Sequence, residues 1–348
     1  MRRTHMWALA IPLTTGLVGC EMLKSLLSLD ALSVLGIIPK AGFSKASADG
    51  FGKVVFAVAA EDEGGFSLAP PVSMLEFRDQ NGDLMDVRDD VEIPGNDAGT
   101  FALLVDGSGS MTSTDAERFR VDAAAMVATR IEACSDHWDQ ALLEFNTSSS
   151  GGKYEHSAVL APYGSSAKTI AESAEALDSG GGTPLWDATH EVLTAFADHA
   201  DSHSQRLLDA GEPEAETYGR ALVVISDGAD TSSSKRLSKV IEKANKKGIS
   251  VHAIGLGPAS DAETAFLRED DAITDLRRLA LETGGTYGYV SSADELPAQA
   301  DAIASAVCNG YTQVVMQMAE PPASGERVRG FVGIAGTPIG LPYTFTAP

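Results

Sequence analysis

The chain has 348 residues, 44% of them hydrophobic and 22% charged. That is too long for one ordinary core and suits two domains, and the hydrophobic share excludes wholesale disorder. Acidic residues outnumber basic ones by 49 to 26, for a formal net charge of -23; such a surface repels nucleic acid and anionic lipid headgroups, so neither is expected as a partner.

The first residues read as a processing signal. Arg2 and Arg3 form a charged start, and residues 6–17 form an apolar run too short to span a bilayer. Leu17-Val18-Gly19-Cys20 follows at once and resembles a bacterial lipobox. The resemblance implies a lipoprotein signal peptide over 1–19, cleavage before Cys20 and a lipid on its thiol. The chain would then be membrane-anchored on the bacterial cell envelope, facing the periplasm or the cell surface. An ordinary signal peptide is the competing reading, but the Ala46-Ser47-Ala48 cleavage pattern lies far from the apolar run. Two further cysteines, Cys134 and Cys308, remain in an oxidising compartment, enough for one disulfide or for two buried thiols.

Residues 20–50 are expected to tether lipid to domain. Met22, Leu23, Leu26, Leu27, Leu29, Leu32, Val34 and Leu35 are too apolar for a flexible linker. Their partly helical spacing predicts a short helix on the membrane or on the domain, ended by Pro39 and Gly42. From Lys53 the pattern turns to strands, at 54–58 and 72–77, and Asn81-Gly82 between Phe77 and Leu84 signals a hairpin. Asp79, Asn81 and Asp83 have the opening spacing of a calcium loop, but residues 87–90 open no second helix, so a turn is expected.

From Thr100 to Gly310 strands and helices alternate. Strands are predicted at 101–105, 141–145, 158–160, 221–225, 250–256 and 286–290, and helices at 117–134, 167–177, 185–208, 237–247, 273–282 and 294–307. Gly248 and Gly284-Gly285 fall where C-terminal caps belong. The alternation predicts an α/β fold with a doubly wound, mostly parallel sheet over 98–310. After Gly310 the chain returns to strands, at 312–318, 327–334 and 341–345. Neither 51–97 nor 311–348 carries enough strands for a sheet of its own, so the two are expected to pair as one β-subdomain into which the α/β domain is inserted.

Asp106-Gly107-Ser108-Gly109-Ser110-Met111 directly follows the 101–105 strand, at the carboxyl edge where open α/β sheets build their sites. Two more loops are expected on that edge: Gly180-Gly181-Gly182-Thr183 before a helix, and Ser226-Asp227-Gly228 after the most apolar strand. Carboxylates and hydroxyls are hard donors, suited to magnesium or manganese and unsuited to zinc or copper. The ensemble resembles a von Willebrand factor type A domain with its metal-ion-dependent adhesion site. Asp106, Ser108 and Ser110 match the D-x-S-x-S motif, Thr183 the threonine loop and Asp227 the last aspartate.

The resemblance covers 98–310 and implies a protein-binding module. Its Mg or Mn ion (Ca being a further option) would bridge to an Asp or Glu carboxylate of a partner protein. It also implies that the first and last helices are neighbours, so that Cys134 and Cys308 form a disulfide. Relatives of the integrin type shift the last helix to change affinity, and such a bond would make this chain a constitutive binder.

Two other readings compete with metal-dependent binding. A structural envelope scaffold would use the metal only to fasten loops. A serine-type hydrolase is disfavoured because Ser108 lies in no G-x-S-x-G elbow and has no local histidine. His199 and His203 have the spacing of a zinc-protease pair, but Ala200 stands where the glutamate is required, so a solvated helix face is expected. Glu269-Asp270-Asp271, expected on the same edge as the metal loops, reads as acidic residues at a helix start in preference to a second cation site.

Overall fold

The computed structural model describes residues 33–44, 53–61, 67–68, 75–79, 82–85, 87–147, 154–212, 218–228, 230–257, 271–290, 292–317, 327–334 and 340–346. The expected signal peptide, Cys20, the leucine-rich part of the tether, and Glu269 and Asp270 lie outside the described residues. In chain order the elements begin with strands β1 (Ser33–Ser44), β2 (Lys53–Glu61), β3 (Ser67–Leu68), β4 (Leu75–Asp79) and β5 (Val87–Pro94). The alternating region follows with β6 (Ala98–Asp106), α1 (Met111–Thr114), α2 (Phe119–Cys134), β7 (Trp138–Phe145), β8 (Ser157–Ala161), α3 (Ala167–Ala174) and α4 (Leu185–Ala210). It continues with β9 (Tyr218–Ser226), α5 (Leu237–Lys247), β10 (Ser250–Gly255), α6 (Asp271–Glu282), β11 (Tyr287–Tyr289) and α7 (Leu296–Asn309). Strands β12 (Gly310–Gln317), β13 (Arg327–Ile334) and β14 (Gly340–Thr346) close the chain.

β6 is buried along its whole length, as expected of a strand covered on both faces. Its side chains divide by parity. Phe101, Leu103 and Val105 join the core formed with α2, α3 and α7, whereas Ala102 and Leu104 join the core formed with α4, α5 and α6. The sheet order is β11-β10-β9-β6-β7-β8, parallel throughout except for β8, which runs antiparallel to β7. After β6 the chain builds β7 and β8 on one side and then returns to β9 on the other. The sheet therefore changes direction between β6 and β9, which opens a crevice at their carboxyl ends.

α4 buries Val192, Leu193, Phe196, Ala197 and Ala200 on one face and ends at Gly211, whose left-handed φ of 79° aims its N–H at the last carbonyls. Gly248 ends α5 in the same way, with φ 63°. His199 and His203 correct the expectation of a solvated face. His199 Nε2 lies 2.8 Å from Asp139 Oδ2 and the ring stacks on Tyr163. His203 is buried, with Nδ1 2.8 Å from the Tyr218 hydroxyl, which in turn lies 2.6 Å from Thr100 Oγ1. The pair ties α4 to the starts of β6, β7 and β9, because i and i+4 side chains share one helix face and this face meets the sheet.

The flanking strands interleave. β12 lies between β2 and β5, antiparallel to both, in a sheet of order β1-β2-β12-β5, with β3 paired to β2. β13 lies between β14 and β4 in a second, three-stranded sheet. Residues 33–44 correct the end of the expected helix: they form edge strand β1, paired with β2 from Ser33↔Glu61 to Ser44↔Lys53. Val34, Ile37 and Ile38 favour a strand once a partner is present, and an edge position tolerates Pro39. After β4 the chain turns at Gly82, φ 84°, and Met85 N–H donates to the Phe77 carbonyl at 2.8 Å. Asp79 serves that turn, its Oδ1 accepting from Asp83 N–H at 2.9 Å.

Entry to and exit from the α/β unit are fastened together. Cys134 and Cys308 form a disulfide with Cα atoms 6.0 Å apart, joining the ends of α2 and α7. Arg130 adds a two-pronged ion pair to Asp301, with Nε and Nη2 each 2.9 Å from a carboxylate oxygen. Asn96 N–H donates to the Cys308 carbonyl at 2.9 Å, and Gly310↔Pro94 begins the β12–β5 register immediately beyond. No helix among the described residues is long and apolar enough to cross a membrane.

Candidate metal centre

Three loops meet at the crevice between β6 and β9. Gly107, Ser108, Gly109 and Ser110 follow β6, Gly180 to Thr183 precede α4, and Ser226 and Asp227 end β9. The first two loops are stitched reciprocally: Gly109 N–H donates to Gly181 O at 3.0 Å and Gly180 N–H to Gly107 O at 2.8 Å. The threonine loop is stitched onward, with Thr183 N–H donating to Thr231 Oγ1 and Thr231 N–H to Thr183 O, both at 3.0 Å. Asn146 Nδ2 donates to Gly107 O at 3.1 Å from the end of β7. Glycine is favoured at 181, where φ is 73°, and a Cβ at Gly107 would crowd the Glu144 side chain, 2.6 Å from its Oε1.

The side chains converge through a chain of oxygens. Asp106 is fully buried; its Oδ1 accepts Ser108 N–H at 2.7 Å and its Oδ2 accepts the Ser226 hydroxyl at 2.6 Å. The Ser108 and Ser110 hydroxyl oxygens are 3.0 Å apart, and Ser110 Oγ donates to Asp227 Oδ1 at 2.8 Å. Asp227, also fully buried, accepts at Oδ2 from Thr114 Oγ1. Thr183, on the loop stitched to theirs, is buried and held by the backbone bonds just described. Thr114 is not singled out by the sequence, and Ser226 only as a member of its loop. Thr114 stands four residues after Ser110, one helical turn on, and that spacing is the only trace it leaves there.

Electrostatics sets this cluster apart. Asp106 and Asp227 are both buried, and among the described residues no lysine or arginine pairs with either. The other buried aspartates differ: Asp115 is paired with Arg120 at 2.6 Å and Asp187 with Lys235 at 3.4 Å. Burial pushes the Asp106 carboxyl up to about 6, against the downward pull of the Ser226 and Ser108 hydrogen bonds, with the Asp227 charge adding to the rise. Two carboxylates buried together without a basic partner make a set of hard donors that suits a cation.

The donor spacing suits a small one. Oxygens about 2.1 Å from a magnesium ion sit about 3.0 Å from their neighbours in an octahedron, whereas calcium spreads them to about 3.3–3.7 Å. The Ser108 and Ser110 hydroxyl oxygens, 3.0 Å apart, are spaced for the smaller ion. Asp106, Ser108, Ser110 and Asp227, directly or through water, with Thr183 on the adjoining loop, could hold Mg or Mn.

A doubly wound sheet with an all-oxygen cluster at its switch point defines a class of α/β domains that build their site at the carboxyl edge of the sheet. The von Willebrand factor type A domain model matches residues 101–302, more than half of the chain, and the chain belongs to that family. No curated protein matches it. Solved structures resemble it at low identity. A von Willebrand factor type A protein from Catenulispora acidiphila is 13% identical, with TM-score 0.40, over 91% of this chain and 73% of that one. Proximal thread matrix protein 1 from the mussel byssus is 15% identical, with TM-score 0.42, over 66% and 51%. The pilus adhesin SpaC from Lactobacillus rhamnosus GG is 10% identical, with TM-score 0.44, over 88% and 47%.

Proposed function

We propose that the chain is a metal-dependent protein-binding module of the bacterial cell envelope, acting in adhesion or in assembly of an envelope complex. Asp106, Ser108, Ser110, Thr183 and Asp227 hold Mg or Mn, and the ion accepts an Asp or Glu carboxylate from a partner protein. The observation that carries this reading is the pair of buried carboxylates, Asp106 and Asp227, with no basic side chain to neutralise them among the described residues. A cation there is held mainly by neutral hydroxyls, so it stays electrophilic, and magnesium's demand for six oxygens leaves room for water or an incoming carboxylate. Such a bridge lets a strongly acidic surface accept an acidic contact. Anchoring by lipid at Cys20 rests on the lipobox-like Leu17-Val18-Gly19-Cys20.

The domain binds constitutively on this reading. α7 is tied to α2 by the disulfide and by Arg130–Asp301, and it runs through Gly310 directly into β12. Sliding α7 along the domain would tear those ties and shift the β12 register.

Calorimetric titration of Mn and Mg into the detergent-purified protein, beside Asp106→Ala, tests the site. Saturable binding by the wild type alone is expected. Chelation should then abolish partner capture with the fold intact; a large loss of stability on chelation would instead assign the ion a structural role. No binding by the wild type would sink the reading.

A further inference from the structure

Thr114 is the last residue of α1 and belongs to none of the five positions above, yet its hydroxyl takes one of the two oxygens of Asp227. Its side chain has little freedom. Oγ1 also lies 3.1 Å from the Ser110 carbonyl, and the methyl faces Gly257, where a Cβ would come within 2.8 Å of Thr114 Cγ2. With the methyl against the loop after β10, the hydroxyl is left facing Asp227. Asp227 is thereby held at both ends, by Ser110 at Oδ1 and by Thr114 at Oδ2.

We infer that Thr114 is a positioning residue that keeps Asp227 one bond behind the cation. A serine hydroxyl that lends its lone pair to a metal keeps its proton and becomes a better donor. Ser110 already donates to Asp227 Oδ1 at 2.8 Å, so the carboxylate can receive that proton without moving. Thr114 stops the same carboxylate from swinging forward to coordinate. The consequence concerns charge: with Asp227 behind Ser110, the ion carries one formal negative ligand fewer and keeps a coordination position for water or for a partner's carboxylate. The inference rests on the metal site proposed above and adds a residue that sets its character.

The test uses the full-length protein in detergent with Mn as probe. Free Mn is read by electron paramagnetic resonance, and the waters on bound Mn by water-proton relaxation. Thr114→Val keeps the shape and removes the donor. It should bind Mn more tightly, because a carboxylate replaces a water at the ion, the opposite sign to the about 10–100-fold loss usual when an outer hydrogen-bond partner is removed. Relaxivity should fall by one bound water, and Thr114→Ser should match the wild type in both readouts. A valine variant with unchanged hydration, or with unchanged or weaker affinity, overturns the role of Thr114 while leaving the metal site standing. A serine variant that behaves like valine also overturns it, since the hydroxyl would not be the active feature. A wild type that binds no Mn removes the site and this inference together.

Discussion

Replacing both Cys134 and Cys308 by serine opens a loop whose ends are 174 residues apart in sequence. The chain entropy returned to the unfolded state is about 5 kcal/mol for a loop of that size. The other ties between α2 and α7 do not compensate. Arg130–Asp301 and the packing of Val127 and Ile131 in one core with Ile303 and Val307 act in the folded state and leave the unfolded chain unconstrained. Because measured losses usually fall short of the entropic value, the expected destabilisation is about 3–5 kcal/mol, or roughly 10 °C in Tm for a unit of this size. Scanning calorimetry of the oxidised protein, the reduced protein and the double variant should give one early and one late transition, with the reduced protein matching the variant. A loss below about 1 kcal/mol would refute the argument, since the unfolded ensemble would already hold these ends together. The disulfide sits at the edge of the sheet opposite Asp106, so Mn affinity should survive reduction. A marked rise in affinity with the fold intact would instead show that the bond restrains a switch.

Arg120→Met should cost about 3–5 kcal/mol in urea denaturation, because it strands the fully buried Asp115 and removes the bond from Arg120 Nη2 to Ser179 Oγ at 2.8 Å. A loss under about 1 kcal/mol would mean that the Asp115 bonds to the α2 backbone suffice alone. Asp187 gives a pH prediction: burial raises its pKa, but hydrogen bonds from the Ser234 and Lys235 N–H groups and from their side chains outweigh this and leave it below its ordinary 3.8. A depressed carboxylate pKa stabilises the fold above the unfolded value, so the advantage of wild type over Asp187→Asn should be constant at higher pH and shrink as pH falls through and below about 4. Denaturation midpoints that diverge further in acid would contradict the sign.

Much of this arrangement was legible in the chain itself. The strand at 101–105, the helix over 237–247 and the strand at 327–334 could be placed because their apolar periods are long and their ends are marked by glycines or turns. The D-x-S-x-S loop could be placed because it directly follows a buried strand, and backbone geometry fixes which sheet edge such a loop occupies. Residues 33–44 were not legible: Val34 and Leu35 continue a partly helical apolar spacing, and only the presence of β2 alongside makes a strand of them. Nor were His199 and His203, since helical spacing says that two side chains share a face and is silent on whether that face meets Asp139 and Tyr218 or water.

By itself, then, the sequence determined what depends on neighbours along the chain: the alternation of strands and helices, their caps, the acidic surface and the chemistry of the three loops. Tertiary structure decided what depends on residues far apart. It set Asp106 and Asp227 together without a basic partner, laid β12 between β2 and β5, and brought Cys134 to Cys308. It also turned the Thr114 hydroxyl onto Asp227, 113 residues away. Local periodicity carries no term for such contacts, because they form only when separate elements pack and a side chain's surroundings come from the other layer.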